Sequence, residues 1–204
     1  MIAVIDYGAG NLQSVEKAFR SIGRNDTEVT GDPGVLAKAD AAVLPGVGSF
    51  GDAMHSLRAS GMEEPVRAFA GSGRPFLGIC LGLQLLFEES EESPGVRGIG
   101  ILKGKIRRIP AAPGLKIPHV GWNSLSLRSG EGLFRGIGPD PYVYFVHSYY
   151  LRAENRDIVT ATASYGVEID AAVRSGNLFA TQFHPEKSGN AGLAMLKNFA
   201  FLAG

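Results

Sequence analysis

Residues 75–84 read PFLGICLGLQ and contain Cys80, the only cysteine among 204 residues. An apolar run precedes Cys80, and a helical pattern follows it, with Leu83, Leu86 and Phe87 on one face. We therefore predict a strand that turns sharply into a buried helix, with Cys80 at the corner. This is the geometry of a nucleophile elbow, with sulfur in place of the usual serine oxygen.

The predicted corner suits a reactive thiol. It leaves the sulfur exposed and aimed at a helix N-terminus, where partial positive charge favours thiolate over thiol. Gly78 and Gly82 carry no side chain, so the turn is tight and a substrate comes close. The alternative is an inert core residue, because a lone cysteine with apolar neighbours is often buried and unreactive.

The first half of the chain alternates between strand and helix patterns. Residues 2–5 and 41–44 are short apolar runs typical of buried strands, and helical material fills residues 50–71, with breaks expected near Gly61 and Pro65. Such alternation predicts an α/β fold with an open, largely parallel sheet and helices on both faces.

The second half is richer in strand patterns. After about residue 95, strands and hairpins predominate, and residues 191–203 close the chain with a helix. We expect these strands to add to the same sheet. Because no repeat or linker interrupts the pattern, residues 1–204 are predicted to form a single domain.

A second candidate group lies in residues 182–187, QFHPEK. His184 and Glu186 are two residues apart, so in an extended segment their side chains share a face. A carboxylate beside an imidazole fixes its tautomer and stabilises the imidazolium. Cys80, His184 and Glu186 would then be nucleophile, general acid–base and orienting group, although a His-x-Glu pattern also arises by chance at surfaces.

Residues 45–51, PGVGSFG, match the G-x-G-x-x-G pattern of a dinucleotide site. The acidic residue expected about 20 positions later is missing, because residues 67–73 contain none. We favour a different use, in which backbone N–H groups of this loop and of Leu81 stabilise an oxyanion. One such donor is typically worth roughly 3–4 kcal/mol in the transition state.

Three further residues have two interpretations each. Gln84 lies one helical turn beyond Cys80 and either holds a substrate or is solvated. His147 belongs to residues 144–150, YFVHSYY, which form either a half-buried strand or a pocket wall. Trp122 is either a core residue or an interface anchor.

The composition excludes several classes of function. The formal net charge of zero argues against nucleic acid or an anionic membrane as partner. A single cysteine excludes an internal disulfide and a multi-cysteine metal site. No apolar run approaches the ~18–20 residues of a membrane span, and the start lacks the basic flank of a signal peptide. We expect a cytoplasmic protein without metal or cofactor.

Six segments of the chain are residues 6–12, 44–48, 78–82, 118–123, 145–149 and 182–188. Together they resemble the class I, triad-type glutamine amidotransferases. The first, fourth and fifth are similar, more narrowly, to the glutaminase subunits of imidazole glycerol phosphate synthase, an enzyme of histidine biosynthesis. Leu83 and Gly189 depart from the pattern, where Met and Gln are expected, and neither belongs to the triad.

The resemblance implies a reaction and its residues. The Cys80 thiolate attacks the side-chain amide of L-glutamine, His184 protonates the leaving ammonia, and water hydrolyses the glutamyl thioester. The implied oxyanion donors are near Val47, Gly48 and Leu81. The implied substrate contacts are Gly46, Gln84, Glu92, His147, Ser148 and Tyr149.

The resemblance also implies a partner. Ammonia would pass to a separate (β/α)8 barrel cyclase subunit, since no such barrel fits in 204 residues. The products would be imidazole glycerol phosphate and aminoimidazole carboxamide ribotide. Asn11, Trp122 and Lys187 match family positions near that heterodimer interface. Two alternatives remain, a glutaminase for another synthase and a non-catalytic subunit that keeps the fold as an assembly module.

Overall fold

The structure is a computed structural model that describes residues 1–204. Its helices are α1 (Leu12–Ser21), α2 (Pro33–Lys38), α3 (Phe50–Ala59), α4 (Glu63–Ala70), α5 (Leu81–Leu85) and α6 (Gly189–Leu202). Its strands are β1 (Ile2–Ile5), β2 (Thr27–Thr30), β3 (Ala41–Leu44), β4 (Phe76–Ile79), β5 (Glu89–Ser90), β6 (Gly104–Arg108), β7 (His119–Ser124), β8 (Ser126–Leu127), β9 (Tyr142–His147), β10 (Tyr149–Ala153), β11 (Val159–Ser164), β12 (Glu168–Ser175) and β13 (Leu178–Thr181). None of the helices is both long and apolar enough to cross a membrane.

The main sheet has eight strands in the order β2-β1-β3-β4-β13-β12-β11-β8. The five strands from β2 to β13 are parallel, and β12, β11 and β8 are added antiparallel. Along β1, Ile2 and Val4 belong to one core cluster, and Ala3 and Ile5 belong to the other. Since alternate residues of a strand point to opposite faces, the sheet separates two cores.

Helices cover both faces of this sheet. Phe19 of α1 and Phe199 of α6 pack in one core, whereas Leu36 of α2, Leu57 of α3 and Phe69 of α4 pack in the other. The predicted α/β class, with a largely parallel sheet between two layers of helices, is confirmed.

The second half of the chain does not all join the main sheet. Strands β8, β11, β12 and β13 do, as predicted, but β5, β6 and β10 form a three-stranded sheet, and β7 pairs with β9 in a two-stranded one. The expectation was wrong for β6, β7, β9 and β10, because alternation identifies a strand without identifying its neighbour. Strand β5 lies before residue 95 and was not predicted.

The predicted break at Pro65 is also wrong. The helical region is interrupted only at residues 60–62, where Gly61 has a φ of +72°. Pro65 lies in the first turn of α4, where its missing N–H breaks no intrahelical hydrogen bond.

Candidate active site

Cys80 stands at the corner between β4 and α5. Its backbone has φ +55° and ψ −107°, a conformation that non-glycine residues rarely adopt. A side chain at Gly82 would overlap the Leu44 carbonyl oxygen, and a Cβ at Gly78 would lie 2.9 Å from the Gly82 oxygen. The tight corner therefore depends on both glycines. Cys80 is only 7% exposed, so its thiol is less open to solvent than the elbow pattern predicts.

The sheet topology brings His184 to Cys80. Strands β4 and β13 are parallel neighbours, with Ile79 opposite Thr181. The Cys80 N–H donates to the Thr181 carbonyl (2.7 Å) just beyond this register pair. His184 follows β13 by three residues, so both side chains emerge at the carboxyl edge of the sheet, where open α/β folds place their sites.

His184 is held by Glu186. The distance from His184 Nδ1 to Glu186 Oε1 is 2.8 Å, and the two side chains are 3% and 1% exposed. The Nε2 atom has no hydrogen-bond partner. Burial by itself lowers the pKa of His184, but its interactions with Cys80 and Glu186 outweigh burial and raise it to about 10. At neutral pH the ring is therefore an imidazolium beside the sulfur.

A cavity of about 340 Å³ opens next to the sulfur, within the range of small-molecule sites. Most of the predicted site residues line it. Gly46 instead faces a smaller crevice shared with Asn11 and Glu186. Pro118 and Val146 line the cavity without having been predicted. The complete lining is Val47, Gly48, Cys80, Leu81, Gln84, Glu92, Pro118, Val146, His147, Ser148, Tyr149 and His184.

Gln84 is buried and hydrogen-bonded rather than solvated. Its Nε2 donates to the Tyr149 carbonyl (3.1 Å) and to Gln182 Oε1 (3.0 Å). Gln182 Nε2 in turn approaches Cys80 Sγ at 3.8 Å, as a donor to sulfur. Gln182 lies two residues before His184, and no local sequence pattern predicts a role for it. Only the pairing of β13 with β4 places it next to the cysteine.

The glycine loop after β3 packs against the elbow. The Tyr7 hydroxyl donates to the Pro45 carbonyl (3.0 Å), and a Cβ at Gly46 would lie 2.8 Å from that hydroxyl and 2.9 Å from Leu81 Cβ. Burial, and to a lesser degree the charge of Cys80, raises the pKa of Tyr7, so the hydroxyl remains a donor. The N–H of Leu81 begins α5 and has no intrahelical acceptor.

Glu92 is the only carboxylate that lines the cavity. One of its oxygens, Oε2, accepts a hydrogen bond from the Phe50 N–H (2.8 Å) at the start of α3. This contact ties the loop after β5 to the end of the glycine loop. The cavity thus has one acidic side chain, supplied by the loop after β5.

Of the residues predicted for an interface, Trp122 lies in the β7–β9 pair, Lys187 lies in a short turn packed against β9, and Asn11 borders the crevice that contains Glu186. Trp122 is 56% exposed and packs edge-on against Tyr144, so it is not a core residue. Lys187 is exposed, and Asn11 is half-buried where its side chain caps α1. Val120, Tyr142 and Val146 are also exposed on the β7–β9 pair, so this pair of strands has an apolar outer surface.

Comparison with known proteins agrees with this geometry. The family model for glutamine amidotransferase class-I matches residues 3–203. The chain is 55% identical over 199 residues to the imidazole glycerol phosphate synthase subunit HisH of Methanothermobacter thermautotrophicus, covering 98% of this chain and 97% of the relative. It is 51% identical over 204 residues to the subunit of the same name from Syntrophotalea carbinolica, covering 98% of each. A crystal structure of a glutamine amidotransferase, 22% identical, matches the full length of both chains with a TM-score of 0.77.

Proposed function

The chain belongs to the glutamine amidotransferase class-I family, and we propose that it is the glutaminase subunit of an imidazole glycerol phosphate synthase in histidine biosynthesis. It hydrolyses L-glutamine to glutamate and ammonia. One observation carries the proposal. The only cysteine lies at a small-molecule cavity beside a histidine that a buried carboxylate holds at 2.8 Å.

In the acylation half-reaction, the Cys80 thiolate attacks the amide carbon of glutamine. A C–S bond forms, and the carbonyl oxygen becomes an oxyanion, which the N–H groups of Val47, Gly48 and Leu81 stabilise. As the C–N bond breaks, the Nε2 proton of the His184 imidazolium moves to the leaving nitrogen, which departs as ammonia. Glu186 keeps the ring oriented throughout.

In the deacylation half-reaction, His184 is neutral and acts as the base. It takes a proton from water, and the resulting hydroxide attacks the thioester carbon. The second tetrahedral intermediate uses the same oxyanion donors. It collapses to thiolate and the side-chain carboxyl group of the product, which loses its proton to water to give glutamate. The thiolate–imidazolium pair is thereby restored.

The polar groups of the cavity suit a glutamine zwitterion. Glu92 is the one anionic side chain there, and we assign it to the substrate α-ammonium. Gln84 uses both amide hydrogens within the protein, so it presents its oxygen to a substrate donor. We assign the main chain at Ser148 and Tyr149, and the Gly46 loop, to the remaining contacts.

A covalent intermediate provides the direct test. Acid quenching of the complex during glutamine turnover, followed by mass spectrometry, is expected to find a glutamyl adduct on the peptide that contains Cys80. Because the chain has no second cysteine, a thiol-linked adduct has one possible position. Absence of that adduct, together with no labelling by an electrophilic glutamine analogue, would favour the non-catalytic assembly module instead.

The ammonia acceptor in this proposal is a separate cyclase subunit with a (β/α)8 barrel. The relatives are named as subunits of a synthase, which supports a partner chain. The exposed apolar face of the β7–β9 pair supports a docking surface beside the site. We assign Asn11 and Lys187 to the same interface, as the family resemblance implies. We propose that the chain acts as a single domain in this complex. We also propose that the complex is cytoplasmic, since the free thiol of Cys80 stays reduced in that compartment.

Trp122 is the expected anchor of that surface. We expect Trp122→Ala to weaken binding of the cyclase subunit by about 2 kcal/mol or more, because truncation of a central aromatic anchor typically has this effect. Calorimetric titration measures it. Phe201→Ala is the matched control, since Phe201 is 75% exposed at the far end of α6. Equal affinities for the Trp122 variant and wild type would remove Trp122 from the interface.

A further inference from the structure

Two histidine side chains, His119 and His147, are in hydrogen-bond contact at the side of the cavity. His119 Nδ1 lies 3.0 Å from His147 Nε2, and both residues are buried. They face each other across the β7–β9 pair, where they are register partners. His147 also lines the cavity, whereas His119 does not. Neither ring is used in the reaction above.

The His119 ring is clamped between two aromatic rings. It stacks on Tyr165 with centroids 3.8 Å apart and on Phe145 with centroids 4.7 Å apart. The Tyr165 hydroxyl is itself bound to the Lys116 carbonyl (2.8 Å). Stacking on both faces fixes the plane of the ring, and the contact of Nδ1 with His147 Nε2 selects between the two flipped orientations in that plane.

Hydrogen-bond logic fixes the protons on both rings. The Tyr149 carbonyl only accepts, so His147 Nδ1, at 2.9 Å, carries a hydrogen. Burial lowers the pKa of His147 to about 3 and that of His119 to about 4, so both rings are neutral. His147 Nε2 is therefore an acceptor, and His119 Nδ1 must donate to it. His119 Nε2 is left as an acceptor facing Asn123 Nδ2 at 3.5 Å.

The chain of donors continues to the sulfur. The Tyr149 carbonyl has two lone pairs, one for His147 and one for the Gln84 amide. Because that carbonyl accepts, Gln84 must point its nitrogen towards it, and its second hydrogen goes to Gln182 Oε1. Gln182 then presents its own N–H groups to Cys80. Every amide orientation in the series follows from the Tyr149 carbonyl.

We propose that His119 and His147 are positioning residues that hold the Tyr149 carbonyl and Gln84 for glutamine binding. The inference rests on the proposed glutaminase function. It also revises the role of His147, which the family resemblance assigns to substrate contact. Both of its ring nitrogens are occupied by Tyr149 and His119, so its side chain has no polar atom free for glutamine.

Two substitutions at His119 distinguish the effect of its hydrogen bond to His147 from the effect of its side-chain volume. His119→Leu fills the space but leaves His147 Nε2 without a donor, whereas the amide of His119→Asn places an N–H near the former Nδ1. The readout is the second-order rate at which an electrophilic glutamine analogue labels Cys80. For the Leu variant we expect this rate to fall about tenfold, as for one buried polar group left unsatisfied. The Asn variant should keep most of the wild-type rate.

Iodoacetamide provides the second readout, because it reports thiolate reactivity without using the glutamine site. Its rate should stay within about twofold of wild type in both variants, because the Tyr149 carbonyl still orients the Gln84 and Gln182 amides, so Cys80 keeps its Gln182 contact. His55→Leu, at an exposed position of α3, is the control for loss of a histidine elsewhere. An equal fall in both rates, or equal behaviour of the Leu and Asn variants, would overturn the inference.

The tautomers are measured independently on the wild-type protein. Long-range ¹H–¹⁵N correlation spectra should show His119 and His147 neutral, with hydrogen on Nδ1 and none on Nε2. The opposite tautomer on either ring would overturn the inference, even with normal labelling. Failure of the analogue to label wild-type protein would instead overturn the proposed function, and the inference with it.

Discussion

The Cys80→Ala variant should lose glutamine-dependent synthesis while the assembled complex keeps its ammonia-dependent synthesis. Removing the nucleophile removes the thioester route, and losses on the order of 10⁴-fold or more are typical when a triad nucleophile is deleted. The cyclase reaction with added ammonia bypasses this chain. The measurement is product formation by the complex with each nitrogen source.

Cys80→Ser is the matched comparison for this prediction. It keeps the shape and the positive φ of the elbow, but a serine hydroxyl does not ionise as a thiol does, so the Ser variant should be nearly as inactive. Equal loss of glutamine-dependent and ammonia-dependent synthesis in the Ala variant would point to failed assembly. Retained glutamine-dependent synthesis would exclude Cys80 as the nucleophile.

The local geometry of the elbow was predictable from sequence. The apolar run of β4 and the glycines on either side of Cys80 each have a direct physical meaning, and the structure agrees with them. The helix after Cys80 is buried as predicted, but α5 ends at Leu85, before Leu86 and Phe87 of the predicted face. Proximity of His184 to Cys80 was not predictable from spacing alone. It depends on β13 pairing with β4, a contact between residues about a hundred positions apart.

The parts that sequence reasoning missed are those with weak periodic signals. Strand β2 reads TEVT at the edge of the sheet and lacks the apolar run of the equally short β1, β3 and β4. Helix α2 has only six residues, too few for a helical period to stand out. Tyr7, Gln182 and His119 gained their roles from tertiary hydrogen bonds and stacking, which no local pattern encodes. The same limit explains why β6, β7, β9 and β10 were assigned to the main sheet.

Two histidines of one cavity have pKa values displaced in opposite directions. Burial lowers the pKa of His147 to about 3. The nearby ring of His184 lowers it further, and no carboxylate near His147 opposes these effects. His184 is also buried, but Cys80 and Glu186 raise its pKa to about 10. His184 is therefore assigned to proton transfer, whereas His147 stays neutral. Different environments often push the pKa values of two like groups apart in this way and so give them different roles.

The Glu186→Gln variant tests the origin of that difference. Gln keeps the shape and a hydrogen-bond acceptor near His184 Nδ1 but removes the charge that favours the imidazolium. We expect kcat for glutamine hydrolysis to fall on the order of 10⁴-fold, comparable to loss of charge from a triad carboxylate. Ammonia-dependent synthesis should be unchanged, and Glu64→Gln, at an exposed position of α4, should behave as wild type.

The pH dependence of kcat/KM separates this electrostatic role from a purely structural one. In the wild type, acylation needs the imidazolium, which persists up to the His184 pKa of about 10. Without the Glu186 charge that pKa is lower, so His184 loses its proton earlier as the pH rises. The alkaline limb of the profile should therefore move to lower pH in the variant. A reduced rate with an unmoved alkaline limb would show that Glu186 acts only by holding the ring in place.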